Sequence, residues 1–441
     1  MLYLHEARAL MRLAGPIVLS QLGAVGMNTM DTIMVGPLGA EALAAAGLAA
    51  ALHMAVLMIC TGTLLGMAPL VSQSFGAGDR IECRRVLVGG IWLGVLLAVP
   101  VVWMNFEGER LALALGQEPG VAVLGGGYMW ALAWGVLPVV LFFVCRQFIE
   151  GLGLTRAPMV MTFIGLGVNY LGNRALIYGI DGWVPAMGVV GSGWATTIVR
   201  WAMLGAMIVY LVRHPNLHPF RGVRWRPDME RLRRIAVIGW PAGVQLGLEI
   251  SLFSFAAVMM GWFGPLELGT HQVTINIAST TFMVALGVSL AGSIRVGHQV
   301  GARNAAGVRR ATVLTYALTL GFMALCALLF LLAPEFLIGL YTRDPEVIRL
   351  GSTLLLIAAV FQLSDGAQVA GACVLRGAAD TRIPMLLAAF GYWGIGIPSA
   401  YFLGFHSPLG PVGIWVGLCI ALAIVALLLL WRVRRVLWRS V

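Results

Sequence analysis

The chain has 441 residues, of which 60% are hydrophobic and only 11% are charged, against roughly 25% charged residues in a soluble domain. All 29 of its basic side chains are arginine, and the absence of lysine excludes a Walker A phosphate loop and Schiff-base chemistry. The net charge of +10 is better explained by arginine-rich cytoplasmic loops than by nucleic-acid binding.

Twelve apolar stretches follow one another along the chain, each long enough to cross about 30 Å of hydrocarbon as an α-helix. We predict an all-α integral membrane protein with a six-span N-lobe (1–212), a cytoplasmic linker (213–234) and a six-span C-lobe (235–441). The spans are predicted at 12–35, 46–73, 87–106, 122–149, 157–180, 188–212, 235–263, 270–299, 310–333, 347–374, 383–405 and 411–431.

The placement of arginine predicts the orientation. With both termini in the cytoplasm, 22 of the 29 arginines lie on or near cytoplasmic segments, including the cluster Arg221–Arg234 and the tail Arg432–Arg439. Only Arg110, Arg343 and Arg349 then fall outside. This positive-inside bias predicts a multi-pass protein of the bacterial inner membrane with both termini cytoplasmic.

The two halves of the sequence resemble each other. Residues 76–86 match 301–311, 151–159 match 377–385, 188–198 align with 410–420, and GPL at 36–38 recurs at 264–266. Since each half holds an even number of spans, the repeat is parallel, and we expect two pseudo-symmetric six-helix bundles with substrate bound between them.

Two carboxylates of the second half, Glu249 and Asp365, lie deep in predicted spans. Each costs about 2.5–3.5 kcal/mol to insert, which makes it a functional candidate, although a helix-packing hydrogen bond is the alternative. Counted from the nearest cytoplasmic arginine, their depths are about 22 Å and about 16 Å, roughly one helical turn apart. We therefore predict a coupling-ion site, in which the pair binds one Na+ or shares one proton.

A second polar group is predicted in the first half. Asp31, Asn173 and Thr196 lie at similar depths of about 26–28 Å, and Asn169 shares a helix face with Asn173. Their oxygen atoms suit a monovalent cation or a proton site, with ordinary helix packing as the alternative for the asparagines.

Several ordered segments resemble the MATE (multidrug and toxic compound extrusion) family, in its NorM-like branch. The resemblance covers essentially the whole chain. It rests on LAGPIVLSQL (13–22), MDTIMVGPLG (30–39), GMAPLVSQSFGAGD (66–79), FIEGLGLTRAPM (148–159), HQVTINIAS (271–279), SIRVGHQVGARN (293–304) and SDGAQVAGACVLRGAADTRIP (364–384).

The resemblance implies two six-helix lobes forming a V, and the export of organic cations, fluoroquinolones and dyes in exchange for Na+ or H+. It also implies that Glu249 and Asp365 form the C-lobe cation site. By the same resemblance Asp31 is the essential N-lobe aspartate, with Asn169, Asn173 and Thr196 around it, and Gln272 is a polar cavity residue.

Three residues depart from the family pattern. Phe361 stands beside the C-lobe cation site where the NorM-like pattern has a tyrosine, which removes a hydroxyl. Arg174 and Arg200 bring positive charge into N-lobe spans, where a salt bridge to Asp31 would repel a metal ion. These two arginines keep an alternative open, a flippase for lipids or lipid-linked oligosaccharides from the same superfamily.

The six cysteines and seven histidines have no metal-ligand spacing, and no catalytic cluster is visible. We therefore expect no enzymatic activity and no cofactor beyond the coupling ion. The expected partners are small organic cations and the lipid bilayer, not nucleic acid, and we expect a monomer.

Overall fold

A computed structural model describes residues 2–180, 183–215, 217, 222 and 224–439. The regular structure over these residues is helical, apart from one isolated antiparallel bridge between Ile180 and Val184. This confirms the predicted all-α fold. Part of the predicted linker, including Arg221, lies outside the described residues, and so does the side chain of Arg439.

Sixteen α-helices form in the described part of the chain. They are α1 (Leu2–Val35), α2 (Ala40–Leu64), α3 (Met67–Gly76), α4 (Arg80–Phe106), α5 (Gly108–Ala114), α6 (Pro119–Gly151), α7 (Arg156–Ile177), α8 (Gly188–Arg213), α9 (Met229–Phe263), α10 (Pro265–Gly301), α11 (Ala305–Leu332), α12 (Pro334–Gly339), α13 (Pro345–Gly377), α14 (Arg382–Ala389), α15 (Ile397–Phe405) and α16 (Pro411–Arg439). A 3-10 turn (Gly36–Leu38) follows α1, and a π-helical segment (Phe390–Gly396) joins α14 to α15. Each predicted span falls on one of the longer helices or on a joined pair.

Eleven helical stretches among the described residues are long and apolar enough to cross a membrane. The chain is therefore a multi-pass membrane protein. The fifth predicted span, on α7, is not among the eleven, because polar side chains such as Asn169, Asn173 and Arg174 lower its hydropathy. Its 22 residues would span about 33 Å, and α7 packs along α8. That α7 also crosses the membrane stays a prediction.

The backbone repeats as the sequence does. Helices α6 and α13 both have 33 residues, and α13 begins and ends 226 residues after α6. Asp79 caps the start of α4 by accepting from the Glu82 amide at 2.8 Å, and Asn304 caps α11 by accepting from Gly307 at 3.0 Å. The two halves thus start equivalent helices with equivalent caps.

Left-handed backbone positions recur at the same spacing. The pairs are Gly39 and Gly264, Gly78 and Arg303, Gly153 and Ala379, and Gly188 and Gly410. Gly39 precedes α2 as Gly264 precedes α10. The match between GPL at 36–38 and GPL at 264–266 is therefore displaced by three residues from the pairing that the backbone gives.

The chain divides into two compact units, and the division falls inside α1 and α9. The N-terminal unit comprises Leu19–Phe75 and Asp79–Trp240, and the C-terminal unit comprises Met1–Val18, Gly76–Gly78 and Pro241–Val441. In the first, α6 packs against α2, α4 and α8; in the second, α13 packs against α10, α11 and α16. The predicted lobe boundaries at 212 and 235 stay predictions.

Candidate functional site

The two predicted carboxylates of the C-terminal unit lie against the same amide group. Nε2 of Gln368 donates to Glu249 Oε1 at 2.9 Å and to Asp365 Oδ1 at 3.1 Å. Gln368 follows Asp365 by three residues on α13, whereas Glu249 comes from α9. All three side chains are buried. Two acidic groups that lie far apart in the sequence thus form one polar cluster.

Tyr392 holds the amide of Gln368 in its orientation. Its hydroxyl donates to Gln368 Oε1 at 3.0 Å, which directs the amide hydrogens to the carboxylates. Tyr392 is fully buried and lies on the π-helical segment, a type of distortion that is frequent at functional sites. Sequence reasoning missed both residues. The one available signal was the polar run SDGAQ around Asp365.

The acidic pair lines a cavity of about 530 Å³. Gln272 and Phe361, the two predicted cavity residues, also line it. Gln272 is exposed, whereas Phe361 is buried with its ring 5.8 Å from that of Trp415. The remaining walls are largely apolar. A mostly apolar cavity with a few polar groups is typical of a site for a small organic molecule.

The predicted group in the N-terminal unit also comes together. Asn169 and Asn173 donate from Nδ2 to Asp31 Oδ1 at 3.0 Å and 2.6 Å, and Thr196 donates to Oδ2 at 3.3 Å. Both asparagines are buried, and the aspartate is half-buried. Oδ1 of Asn173 accepts no hydrogen bond from any residue that the structure describes. A buried acceptor beside a carboxylate suits a bound cation.

Neither of the two unexpected arginines pairs with Asp31. Arg174 is exposed and lies over the ring of Tyr178, 5.3 Å from its centroid. Arg200 instead directs both terminal nitrogens to His53 Nε2, each at 3.3 Å. Among the described ion pairs, none includes Asp31. The salt bridge considered from the sequence is therefore absent over this part of the chain.

The other two arginines within spans have acidic partners. Arg146 donates to Glu150 at 2.6 Å and to Gln21 at 3.0 Å. Arg295 donates to both carboxylate oxygens of Glu6, at 2.8 Å each. Both arrangements are ion pairs between side chains that are largely removed from solvent.

The two acidic clusters differ in what they offer a cation. No group of three or more His, Cys, Asp or Glu side chains suited to a metal ion occurs among the described residues. Carboxylate and amide oxygens are ligands for hard cations. In the C-terminal unit, no described residue donates to Glu249 Oε2 or Asp365 Oδ2. These two atoms and Asn173 Oδ1 are thus available to Na+ or H+.

The repeat does not relate the two clusters to each other. At the repeat offset of 226 residues that α6 and α13 give, Asp365 corresponds to Val139, and Asp31 corresponds to Ala257. Val139 lines a cavity of the N-terminal unit, and Ala257 lines the cavity of the C-terminal unit. The duplication has therefore preserved the helical scaffold, while each half carries its own polar residues.

Comparison with known proteins agrees with the fold and the sites. The MatE family model matches residues 16–174 and 241–402, more than two thirds of the chain. The probable multidrug resistance protein NorM of Mesorhizobium japonicum is 37% identical over 440 residues, which cover 98% of this chain and 94% of the relative. The multidrug resistance protein NorM of Burkholderia vietnamiensis is 37% identical over 427 residues, covering 96% and 92%.

Among solved structures, the Vibrio cholerae MATE transporter VcmN in its bent form superposes with a TM-score of 0.89 at 18% identity. It covers 99% of this chain, which covers 98% of it. At that identity the likeness is one of fold. The family model and the two NorM proteins carry the assignment, and they confirm what the sequence segments indicate: the chain belongs to the MATE family of membrane transporters.

Proposed function

We propose that this chain is a multidrug efflux antiporter that exports organic cations and other drugs, including fluoroquinolones and dyes, in exchange for Na+ or H+. Transport proceeds by alternating access in the bacterial inner membrane, with both termini in the cytoplasm. The chain works as a monomer, and it carries out no chemical step on its substrate and needs no cofactor. The NorM relatives support the class of substrate, since both are named multidrug resistance proteins.

One observation carries the antiport proposal. Glu249 and Asp365 are buried, share one amide donor and also line a cavity large enough for a small organic molecule. A cation or proton that binds there neutralises negative charge that would otherwise attract a cationic substrate. Ion and substrate therefore compete for the same field, and each shifts the population between outward-facing and inward-facing states by its differential affinity.

Both coupling ions stay in the proposal, because the same oxygen atoms serve either one. Na+ would use Glu249 Oε2 and Asp365 Oδ2 as ligands, and a proton would be shared by the two carboxylates. The hydroxyl that the NorM-like pattern places at position 361 is absent here. In the N-terminal unit, Asp31 with Asn169, Asn173 and Thr196 forms the second candidate cation site.

The test is transport by the purified full-length chain in proteoliposomes. Uptake of a fluorescent cationic dye is recorded while a Na+ gradient and a pH gradient are imposed separately. We expect one of the two gradients to drive dye accumulation. Glu249→Gln and Asp365→Asn should abolish it at normal protein levels, because an amide cannot be neutralised by either ion.

Glu335→Gln serves as the matched control, since Glu335 is an exposed carboxylate at the start of α12. It should accumulate dye as the wild type does. Normal gradient-driven transport in both Glu249→Gln and Asp365→Asn would refute the antiport site. Wild-type protein that accumulates dye with neither gradient would refute antiport altogether.

Arg200 favours a second candidate, a flippase for lipids or lipid-linked oligosaccharides. Its guanidinium lines a cavity, where it would suit an anionic lipid headgroup. The same proteoliposomes separate the two functions. Translocation of a fluorescent anionic lipid in the absence of any dye accumulation would establish the flippase in place of the exporter.

A further inference from the structure

Asp31 and Arg200 carry opposite charges in the walls of the same cavities, yet they do not pair. Both residues line a cavity of about 330 Å³ and a neighbouring one of about 240 Å³ in the N-terminal unit. An ion pair would require a nitrogen and an oxygen within 4.0 Å, and none is found for Asp31 among the described residues. Two unlike charges therefore face one space from separate positions.

Asp31 does not depend on Arg200 for its hydrogen bonds. Three neutral donors, from Asn169, Asn173 and Thr196, already reach its two oxygens. Neutral donors stabilise a carboxylate without cancelling its charge. The negative charge of Asp31 thus stays available to a cationic group in the cavity.

A chain of buried hydrogen bonds holds Arg200 away from Asp31. Asn105 donates to the Val101 carbonyl at 2.7 Å, so its Oδ1 accepts from His53 Nδ1 at 2.9 Å. With its hydrogen on Nδ1, His53 presents the Nε2 lone pair to Arg200, and both guanidinium contacts go to that atom. His53 and Asn105 are almost fully buried. This support fixes the guanidinium from behind.

The guanidinium is left with unused donors. Of its five N–H groups, two point to His53, and no described residue accepts from the other three. A guanidinium removed from water without an anionic partner is costly. Its planar fork matches a carboxylate with two parallel hydrogen bonds. The missing partner is therefore best supplied by an anionic group on a ligand.

We propose that this cavity of the N-terminal unit selects zwitterionic organic substrates, with Arg200 binding the carboxylate of the substrate and Asp31 binding its protonated amine. The inference rests on the proposed function of drug export and narrows its substrate class. Thr196, which contacts Asp31, lies one helical turn before Arg200 on α8, roughly 6 Å along the helix. Tyr128 and Leu132 line the same space and suit the apolar body of such a molecule.

The test compares a fluoroquinolone that carries a piperazine amine and a free carboxylate with its methyl ester, which keeps the amine alone. Binding of each to purified wild-type protein is measured by calorimetry, which avoids differences in membrane permeation. A charge-assisted hydrogen-bond pair should favour the acid over the ester by about tenfold or more. Arg200→Gln should remove this preference, and Arg200→Lys should keep part of it, since lysine retains the charge and loses the fork.

Arg174→Gln is the matched control, because Arg174 lies on the neighbouring helix α7 and lines neither cavity. It should keep the full preference for the acid. Equal binding of acid and ester by the wild type would overturn the inference, even if Arg200→Gln fails to fold. So would an unchanged preference in Arg200→Gln.

Dye transport in the same preparation separates this inference from the proposed function. Gradient-driven dye accumulation together with equal binding of acid and ester would overturn zwitterion selection and leave the exporter standing. Wild-type protein that transports neither dye nor fluoroquinolone would overturn the proposed function, and zwitterion selection with it.

Discussion

Tyr392 donates its hydroxyl hydrogen to Gln368 Oε1 at 3.0 Å, and this single bond decides which end of the amide faces the acidic pair. With Oε1 occupied, Nε2 is directed to Glu249 and Asp365. An amide turned the other way would bring its oxygen against two carboxylates. Tyr392 is therefore a positioning residue that acts on the acidic pair through Gln368.

We expect Tyr392→Phe to weaken gradient-driven dye export by about fivefold to tenfold, because one buried hydrogen bond is worth about 1–1.5 kcal/mol. The ion concentration that gives half-maximal export should shift as well, which loss of packing alone would not produce. The measurement is dye transport in proteoliposomes over a series of Na+ concentrations and pH values.

Tyr316→Phe is the control for this change. Its hydroxyl oxygen is also buried, but no described residue bonds to it. Removing it should leave the ion dependence unchanged. If the two variants behave alike, Tyr392 has no positioning role.

In the N-terminal unit, Asn173→Ala should reduce export more than Asn169→Ala does. Asn173 makes the shorter bond to Asp31, 2.6 Å against 3.0 Å, and it alone of the two has an oxygen without a described partner. Loss of a hydrogen bond to a charged group costs about 1.5–3 kcal/mol, which corresponds to roughly tenfold or more in export. Initial rates of dye transport at matched protein levels provide the measurement.

Asn276→Ala provides the comparison, since Asn276 is exposed and bonds to Tyr341. It should export as the wild type does. Wild-type rates in Asn173→Ala would show that Asp31 needs no amide support.

The ion pair between Glu6 and Arg295 should contribute to the stability of the C-terminal unit. Their side chains are only 9% and 19% exposed, so Glu6→Gln leaves a positive charge without its partner away from solvent. We expect a loss of about 3–5 kcal/mol and a clear fall in the melting temperature of the purified protein. The double variant Glu6→Gln with Arg295→Gln should lose less than the single one.

Glu107→Gln tests the same chemistry at the surface. Glu107 pairs with Arg110 at 2.8 Å, but these side chains are 36% and 83% exposed. An exposed pair contributes about 0–1 kcal/mol, so the melting temperature should hardly change. Equal losses for Glu6→Gln and Glu107→Gln would contradict the role assigned to burial.

Gly239 allows α9 to approach α2 at the level of the backbone. A Cβ atom added there would overlap the carbonyl oxygen of Thr63, and one added at Gly66 would overlap that of Ile235. Gly239→Ala should therefore sharply reduce the yield of folded protein, measured as the monodisperse fraction in size-exclusion chromatography. Gly247→Ala, on the same helix with nothing within 4 Å, should fold normally. Normal yields from both variants would show that α9 and α2 are separated by more than this approach allows.

Much of the fold follows from patterns that add up along the chain. All twelve predicted spans fall on helices, and the internal match of 151–159 with 377–385 reappears as helices α6 and α13 with the same offset. The short helices α5 and α12 were not predicted. With seven and six residues, they are too short to leave a periodic pattern.

The site was predictable in part. Glu249, Asp365 and Asp31 stand out because each places a carboxylate in an apolar stretch, where its insertion cost is visible from sequence alone. Depth counting also placed Asn173 and Thr196 beside Asp31, since rise per residue is nearly constant in a helix. Gln368 and Tyr392 passed unnoticed, because glutamine and tyrosine are unremarkable within a span.

Sequence alone determined that the chain is helical, crosses the membrane many times and consists of two related halves, because hydropathy and repetition are sums over contiguous residues. Tertiary structure decided the partners: that Arg200 contacts His53 and not Asp31, and that one amide joins two carboxylates. The direction of a side chain depends on how its helix is rotated against neighbours that lie up to 150 residues away in the chain (147 between Arg200 and His53). That rotation comes from the packing of all the helices in a unit, which no single segment encodes.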